Sequence, residues 1–179
     1  MLEYPGVKRA WTSAYLAILL LLTVPLHGQD TVESRDSLAG LPGIMLQIVP
    51  PAPEIAERGV PAEVIEAAVN LRLKEAGVPV LAADASEVAP GLQTLYVEVM
   101  AMLDEYTEQC TWAVRLDLVQ AVRMERNPDT RALMASTWSV AGVSNPTKDW
   151  RKRMIDDVLY YTDRFIAAYA AANPQVVTP

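Results

Sequence analysis

The sequence is poor in the side chains that most enzymes use for nucleophilic or metal-assisted chemistry. It has one histidine, His27, and one cysteine, Cys110, in 179 residues. A lone cysteine cannot close an intramolecular disulfide, and it cannot assemble a zinc site. The motifs GxGxxG and GxxxxGK[ST] do not occur, so the sequence has no glycine-rich phosphate loop. Ser144 precedes Lys148 by four residues, which differs from the three-residue spacing of an SxxK motif.

The sequence also lacks an amino-terminal apolar run of the length that a membrane-spanning helix needs. The uninterrupted run covers residues 14–22, nine residues, whereas a spanning helix takes ~20. Lys8 and Arg9 precede the run, Pro25 follows it, and a peptidase would cut between Gly28 and Gln29. This layout is typical of a secretory signal peptide, which we assign to residues 1–28. The alternative is an anchor that is retained in the membrane.

Cleavage after residue 28 has consequences for chemistry and for partners. It removes His27, so the remaining chain has no histidine, and Ser-His-Asp, Cys-His and histidine-ligated metal sites are excluded. The net charge is −7 for the whole chain, and it becomes −8 once Lys8, Arg9 and Glu3 are lost. A net negative charge of this size argues against nucleic acid as a partner. We therefore expect a periplasmic or extracellular protein with no stable membrane span after cleavage.

The rest of the chain has the composition of a folded domain. Hydrophobic residues make up 51% and charged residues 21%, a balance that argues against wholesale disorder. We expect a flexible polar lead-in over residues 29–40, one domain over residues 41–174 and a short tail over residues 175–179.

The spacing of apolar residues predicts an α+β domain with five strands and two helices. Alternating or continuous apolar runs predict strands at residues 43–49, 78–83, 94–99, 110–126 and 131–140. Apolar residues three and four apart predict helices at residues 61–76 and 147–172, the first ending at Gly77. "NPDT" predicts a hairpin turn at residues 127–130, and "GVSNP" is expected to leave the sheet. The order β-α-β-β-β-α favours a two-layer sandwich, with both helices on one face of a mixed, mostly antiparallel sheet.

The second face of this sheet is expected to meet water or a partner, because no element is left to cover it. The alternation places a set of mixed polar and apolar side chains there: Tyr96, Glu98, Met100, Arg115 and Asp117, followed by Val119 and Ala121. We take the first five as the candidate partner surface.

Several segments together resemble a known group of proteins. "PGIMLQIVP", "NLRLKEAGVPVL", "LYVEV", "RLDLVQAVRMERNP", "STWSVAGV" and "FIAAYAAANP" are similar to a family of small exported bacterial proteins of unknown function. The element order is also similar to envelope domains such as the amino-terminal domain of TolB and the lipopolysaccharide-assembly lipoprotein LptE. The resemblance implies a fold and no activity. The chain departs from LptE because no cysteine follows the apolar run.

A few residues invite a chemical interpretation beside a structural one. Glu98 and Asp117 could form the carboxylate pair of a hydrolase, although Arg115 and Arg123 stand ready to neutralise them. Asp156 and Asp163, with Asp157 between them, could suggest calcium, but two helical carboxylates lack the loop ligands that calcium needs. A solvated surface is the simpler interpretation of both sets.

Other residues fall on the predicted core side. Gln120 needs a partner for its amide, and Ser136 or a backbone group could supply one. Cys110 is expected to be a buried, inert thiol. Tryptophans on core faces are expected to pack against their neighbours: Trp112, Trp138 and Trp150.

These observations favour a non-enzymatic module that binds an envelope protein. No cofactor and no metal are expected, and the oligomeric state is left open. The first alternative is a carrier of a small apolar ligand between helix and sheet. The second is the carboxylate-based hydrolase.

Overall fold

The computed structural model describes residues 30–82 and 93–175, which form an α+β fold with a mixed four-stranded sheet. The predicted signal peptide, its cleavage site and the tail beyond residue 175 lie outside the described residues. The described helices are α1 (Val32–Asp36), α2 (Pro53–Glu57), α3 (Ala62–Glu75) and α4 (Trp150–Ala172). The strands are β1 (Met45–Ile48), β2 (Thr94–Asp104), β3 (Gln109–Met124) and β4 (Asn127–Thr147). They lie in the order β1-β2-β3-β4, with β1 and β2 parallel and the other neighbours antiparallel.

The predicted α+β class is confirmed, but the prediction of five strands is wrong. The strand expected at residues 78–83 is reduced to one parallel bridge between Val80 and Ile44 in the part that is described. Pro79 explains this, because a proline has no N–H to extend the ladder. The carbonyl of Pro79 accepts a hydrogen bond from the Ile44 amide at 2.9 Å. The observed order of elements is therefore α-β-α-α-β-β-β-α.

Residues 30–40 form a capped helix that packs against the domain, whereas a flexible lead-in was predicted for this part of the chain. Thr31 caps α1, and a reciprocal pair of hydrogen bonds with Ser34 forms a capping box. Leu38 is fully buried in the core. The polar composition of the segment gave no sign that it packs on the domain, because the residues that bind it lie a hundred positions or more away in sequence.

The core lies between one sheet face and the two long helices. The alternation predicted for β2 and β3 is confirmed, since their inward residues are buried: Leu95, Val97, Val99, Cys110, Trp112, Val114, Leu116 and Leu118. The helices contribute Ile65, Val69 and Leu73 from α3, and Trp150, Met154, Val158 and Phe165 from α4. These side chains form one contiguous buried cluster.

The end of α3 shows why the helix stops where the sequence indicated. Gly77 has a φ of 73°, a conformation that favours glycine. Its amide donates to the Lys74 carbonyl at 3.1 Å, and the Val78 amide donates to the Leu73 carbonyl at 3.0 Å. This pair of bonds is the Schellman motif, which satisfies the last carbonyls of the helix.

The β3–β4 hairpin differs from its prediction in two places. The strands meet across Glu125 and Arg126, so "NPDT" belongs to β4 and does not form the turn. β4 continues to Thr147, so "GVSNP" remains in the sheet. The β3–β4 register shifts beside Gln120 and Arg123, and these shifts allow the turn-forming residues to remain within β4. β4 is an edge strand, and an edge tolerates proline because the missing N–H has no partner to lose.

Candidate functional site

The sheet face that points away from α3 and α4 carries the predicted partner surface; we call it the open face. The register aligns its residues in rows across three strands. One row joins Tyr96 to Asp117, and the next joins Glu98 to Arg115. Met100 lies one row further along β2. The structure therefore brings the five predicted residues together. All five are exposed or half-buried, whereas the inward residues between them are buried.

One end of the open face is apolar. Met100 pairs with Ala113, and Ala113 pairs with Val143 on β4, so these three residues form a row across the sheet. Met102 lies on the same face of β2, two residues beyond Met100. We call these four residues the apolar patch. Met100 is 52% exposed, and Met102 and Val143 are each 76% exposed. A shallow hollow of about 250 Å3 lies over the patch.

The sequence analysis missed three of the four members of the apolar patch. Ala113 lies within a predicted strand but was not named for the candidate surface. Val143 was excluded because the predicted strand ended at residue 140, and Met102 because the β2 pattern was followed only to Met100. Continued alternation was the available signal. Residues 100, 102 and 104 share the face of residue 98 in a strand with a period of two.

At the centre of the open face, Arg115 and Asp117 neutralise each other. The Arg115 Nε lies 2.5 Å from Asp117 Oδ2. A second guanidinium nitrogen donates to Asp117 Oδ1 at 3.0 Å, and Ser136 Oγ donates to the same oxygen at 2.9 Å. Asp117 is thus bound by its neighbours. This geometry gives no support to Glu98 and Asp117 as paired catalytic carboxylates, which need a shared cleft.

A polar pocket of about 530 Å3 lies between β4 and the first turns of α4. It is lined by Trp112, Val143, Ser144, Asn145, Arg153, Asp156 and Asp157. Asp157 accepts a hydrogen bond from the Trp112 indole at 2.9 Å and another from the Ser144 hydroxyl. These contacts hold the Asp157 carboxylate against the sheet. On the same helix, Lys152 forms an exposed ion pair with Asp156 at 2.6 Å.

Tyr161 packs beside this pocket and explains the glycine at residue 142. A side chain at Gly142 would overlap the Tyr161 hydroxyl, and its Cβ would lie 2.7 Å from Tyr161 Cζ. Burial raises the pKa of the Tyr161 phenol, and the negative charge of Asp157 adds to this effect. Only glycine lets the ring approach this closely to β4.

A buried carboxylate ties the start of the described chain to the core. The Asp30 side chain is only 3% exposed. It pairs with Arg35 at 2.7 Å and with Arg164 at 2.7 Å, and it accepts from the Trp138 indole at 3.0 Å. Hydrogen bonds from Arg35, and then from Trp138 and Arg164, hold the pKa of Asp30 well below its usual value against the opposing effect of burial. Sequence reasoning missed this cluster because no local pattern joins residues so far apart.

The remaining candidates have structural partners. The Gln120 amide donates to Thr137 Oγ1 at 2.7 Å and to the Ser37 carbonyl at 3.2 Å, so Thr137 takes the role expected of Ser136. Asp163 pairs with Arg72 at 2.6 Å. Burial raises the pKa of the Cys110 thiol. The core tryptophans are each at most 2% exposed: Trp112, Trp138 and Trp150.

No group of three or more acidic, cysteine or histidine side chains within residues 30–82 and 93–175 could hold a metal ion. Over the same ranges, no helix is long and apolar enough to cross a bilayer.

The open face thus combines an uncovered apolar patch with a polar centre in which Arg115 and Asp117 are paired. The chain matches no family model, no curated protein and no solved structure.

Proposed function

We propose that this protein is an exported, non-enzymatic binding or assembly module of the cell envelope that contacts a protein partner through the open face. The observation that carries the proposal is the exposure of the apolar patch. Contiguous exposed apolar surface on a soluble domain marks an interaction site more often than scattered apolar residues do.

The size of the patch indicates what docking contributes. Fully burying one aliphatic side chain of this size stabilises by about 1.5–3 kcal/mol. Met100, Met102 and Val143 still expose half to three-quarters of their surface. Covering all three would therefore contribute about 4 kcal/mol at the same rate per unit area. A free energy of this size is typical of the few residues at the centre of an interface, and the surrounding polar residues would contribute specificity.

The charged rows beside the patch suit a protein partner. Arg115 and Asp117 already neutralise each other, so docking leaves neither charge buried and unpaired. Glu98 is left to attract a basic or hydrogen-bonding group. An apolar centre with a polar border is the usual composition of a protein interface. A polyanion is disfavoured, because the three charged residues of the predicted partner surface, Glu98, Arg115 and Asp117, sum to −1 and the whole chain carries −7.

Export is the second part of the proposal, and it rests on the amino-terminal sequence. The basic residues, short apolar run and small residue at position 28 support a cleaved signal peptide. The partner is then sought in the envelope or outside the cell.

The experiment compares two variants that each place a carboxylate at an exposed apolar position. Val143→Asp changes the apolar patch, whereas Leu71→Asp changes the exposed side of α3, where Leu71 is 58% exposed. Tagged wild-type and variant proteins are expressed in the native cells, crosslinked and recovered from the envelope fraction. We expect the copurifying protein to be lost with Val143→Asp and kept with Leu71→Asp. Equal recovery with both variants would reject the open face as the binding surface.

A further inference from the structure

β4 lies at one edge of the sheet, next to the apolar patch. Its residues 138–144, which we call the edge stretch, pair with β3 in unbroken register. In an antiparallel pair, every second residue directs both its N–H and its C=O away from the neighbouring strand. Among the residues that the structure describes, 140–144 make no backbone-to-backbone hydrogen bond outside the pairing with β3. The outer backbone groups there can therefore pair with an added strand.

The edge stretch lacks the features that usually prevent strands from pairing between molecules. Charged residues, prolines and bulges make an edge unsuitable for a new strand. From Trp138 to Asn145 the sequence has no charged residue and no proline. Such features stand at its two ends, because the register shifts between Leu118 and Val119 beside Trp138, and Pro146 follows Asn145. The unprotected part of β4 is thus the part that reaches the apolar patch.

Two hollows flank the edge stretch, one on each face of the sheet. Val143 lines both the hollow over the apolar patch and the polar pocket beside α4. Successive residues of an added strand point to opposite faces. A residue opposite Val143 would therefore lie over the apolar patch, and its neighbour opposite Ser144 would lie beside the polar pocket.

The polar pocket indicates which side chain that neighbour carries. Arg153 lines the pocket, and its guanidinium has no ion pair or hydrogen bond with any residue that the structure describes. The acidic side chains of the pocket are already engaged, since Asp156 pairs with Lys152 and Asp157 accepts two hydrogen bonds from the sheet. An acidic side chain on the added strand would give Arg153 an ionic partner.

We propose that the partner adds an extended segment with alternating apolar and acidic side chains to the edge stretch of β4. The inference rests on the proposed function and names the way in which the partner is bound. The apolar side chains cover the apolar patch, and the acidic ones face the polar pocket and Arg153. A second copy of this chain fits less well, because its own edge stretch has no acidic residue to offer Arg153.

Binding of a synthetic peptide to the full chain tests strand addition. The probe has seven residues that alternate valine with glutamate, and it carries a fluorophore at one end. We expect it to bind and to slow hydrogen exchange of backbone amides in the edge stretch. No binding, or protection only elsewhere, would overturn the proposal. Protection of the edge stretch that rises with protein concentration in the absence of peptide would assign it to a second copy and overturn the proposal as well.

Methylated peptides separate backbone pairing from capture of side chains alone. N-methylation of the valines removes the donors along one edge of the peptide, and N-methylation of the glutamates removes those along the other. We expect one of the two patterns to weaken binding roughly 100-fold, because about three hydrogen bonds are lost, and the other to have little effect. Equal binding of both methylated peptides would reject strand pairing.

A pair of variants tests the acidic part of the proposal. Arg153→Gln removes the cation of the pocket, whereas Lys74→Gln removes an exposed cation of α3. We expect Arg153→Gln to weaken binding of the glutamate peptide roughly threefold, as for one exposed charge pair. It should leave unchanged the binding of a peptide with glutamine in place of glutamate, and Lys74→Gln should change neither. The same affinity of Arg153→Gln and the unaltered protein for the glutamate peptide would contradict a role for Arg153.

The peptide assay can fail without failure of the proposed function. If no peptide binds while Val143→Asp still abolishes recovery of the copurifying protein, the open face stands as the binding surface and strand addition is wrong.

Discussion

The hydrogen bond between the Trp138 indole and Asp30 gives the sharpest prediction on stability. Trp138 is fully buried, and its Nε1 lies 3.0 Å from Asp30 Oδ1. Hydrogen bonds to charged groups contribute about 1.5–3 kcal/mol. Trp138→Phe removes the donor and keeps an aromatic ring, which can still meet Phe165 across the present 5.4 Å ring separation.

A double-mutant cycle isolates this bond from the loss of volume. Trp138→Phe, Asp30→Ala and the double variant are unfolded with urea at pH 7 and followed by far-ultraviolet circular dichroism. We expect Asp30→Ala to cost about 3 kcal/mol, because it leaves the half-buried Arg164 without its partner. The coupling free energy should be about 1.5–3 kcal/mol. Additivity within ~0.5 kcal/mol would show that the two side chains do not interact.

Three further predictions follow from single sites. Because the pKa of Asp30 is lowered in the folded state from 3.8, its stabilising effect is present above pH ~4 and is lost as the pH falls further; Asp30→Ala should have a shallower acid limb in urea titrations between pH 5 and 2. Gly142→Ala should destabilise by about 1–3 kcal/mol through overlap with Tyr161, and a smaller loss in a Tyr161→Ala background would confirm the cause. Trp138→Ala should cost on the order of 3–5 kcal/mol in the same assay, as for other buried aromatic truncations; a loss below ~0.5 kcal/mol would place the residue at the surface.

The sequence correctly predicted those parts of the fold that depend on the spacing of apolar residues within one element. Alternation identified the inward faces of β2 and β3, and helical spacing identified α3 and α4, because burial of one face imposes those periods. Gly77 marked the end of α3 because its backbone conformation is costly for other residues.

The differences arise where distant residues decide local structure. Asp30 and Leu38 make a polar segment part of the core through partners on β4, on α4 and at the residue that follows α4. Pro128 should end a strand by local rules, yet β4 is an edge whose irregular register accommodates it. Pro79 had the opposite effect and reduced an expected strand to a single bridge.

The candidate site was likewise predicted from the sequence only in part. The five predicted residues share the open face because a period of two assigns them to it. The row that joins Met100 to Val143 depends on how β4 pairs with β3, and register across a hairpin is set by the turn. Since the turn lies at Glu125 and Arg126 and not at residues 127–130, the sequence could not align Val143 with Ala113.

Photocrosslinking from the centre of the apolar patch tests the open face most directly. A photoreactive amino acid replaces Ala113, which lies between Met100 and Val143, and the matched control replaces the exposed Leu71 on α3. Both proteins are irradiated in their native cells, and the adducts are resolved by mass. A discrete adduct with an envelope protein from residue 113 and none from residue 71 is the predicted result. The same adducts from both positions, or none from residue 113 while the folded protein is present in the envelope, would contradict it.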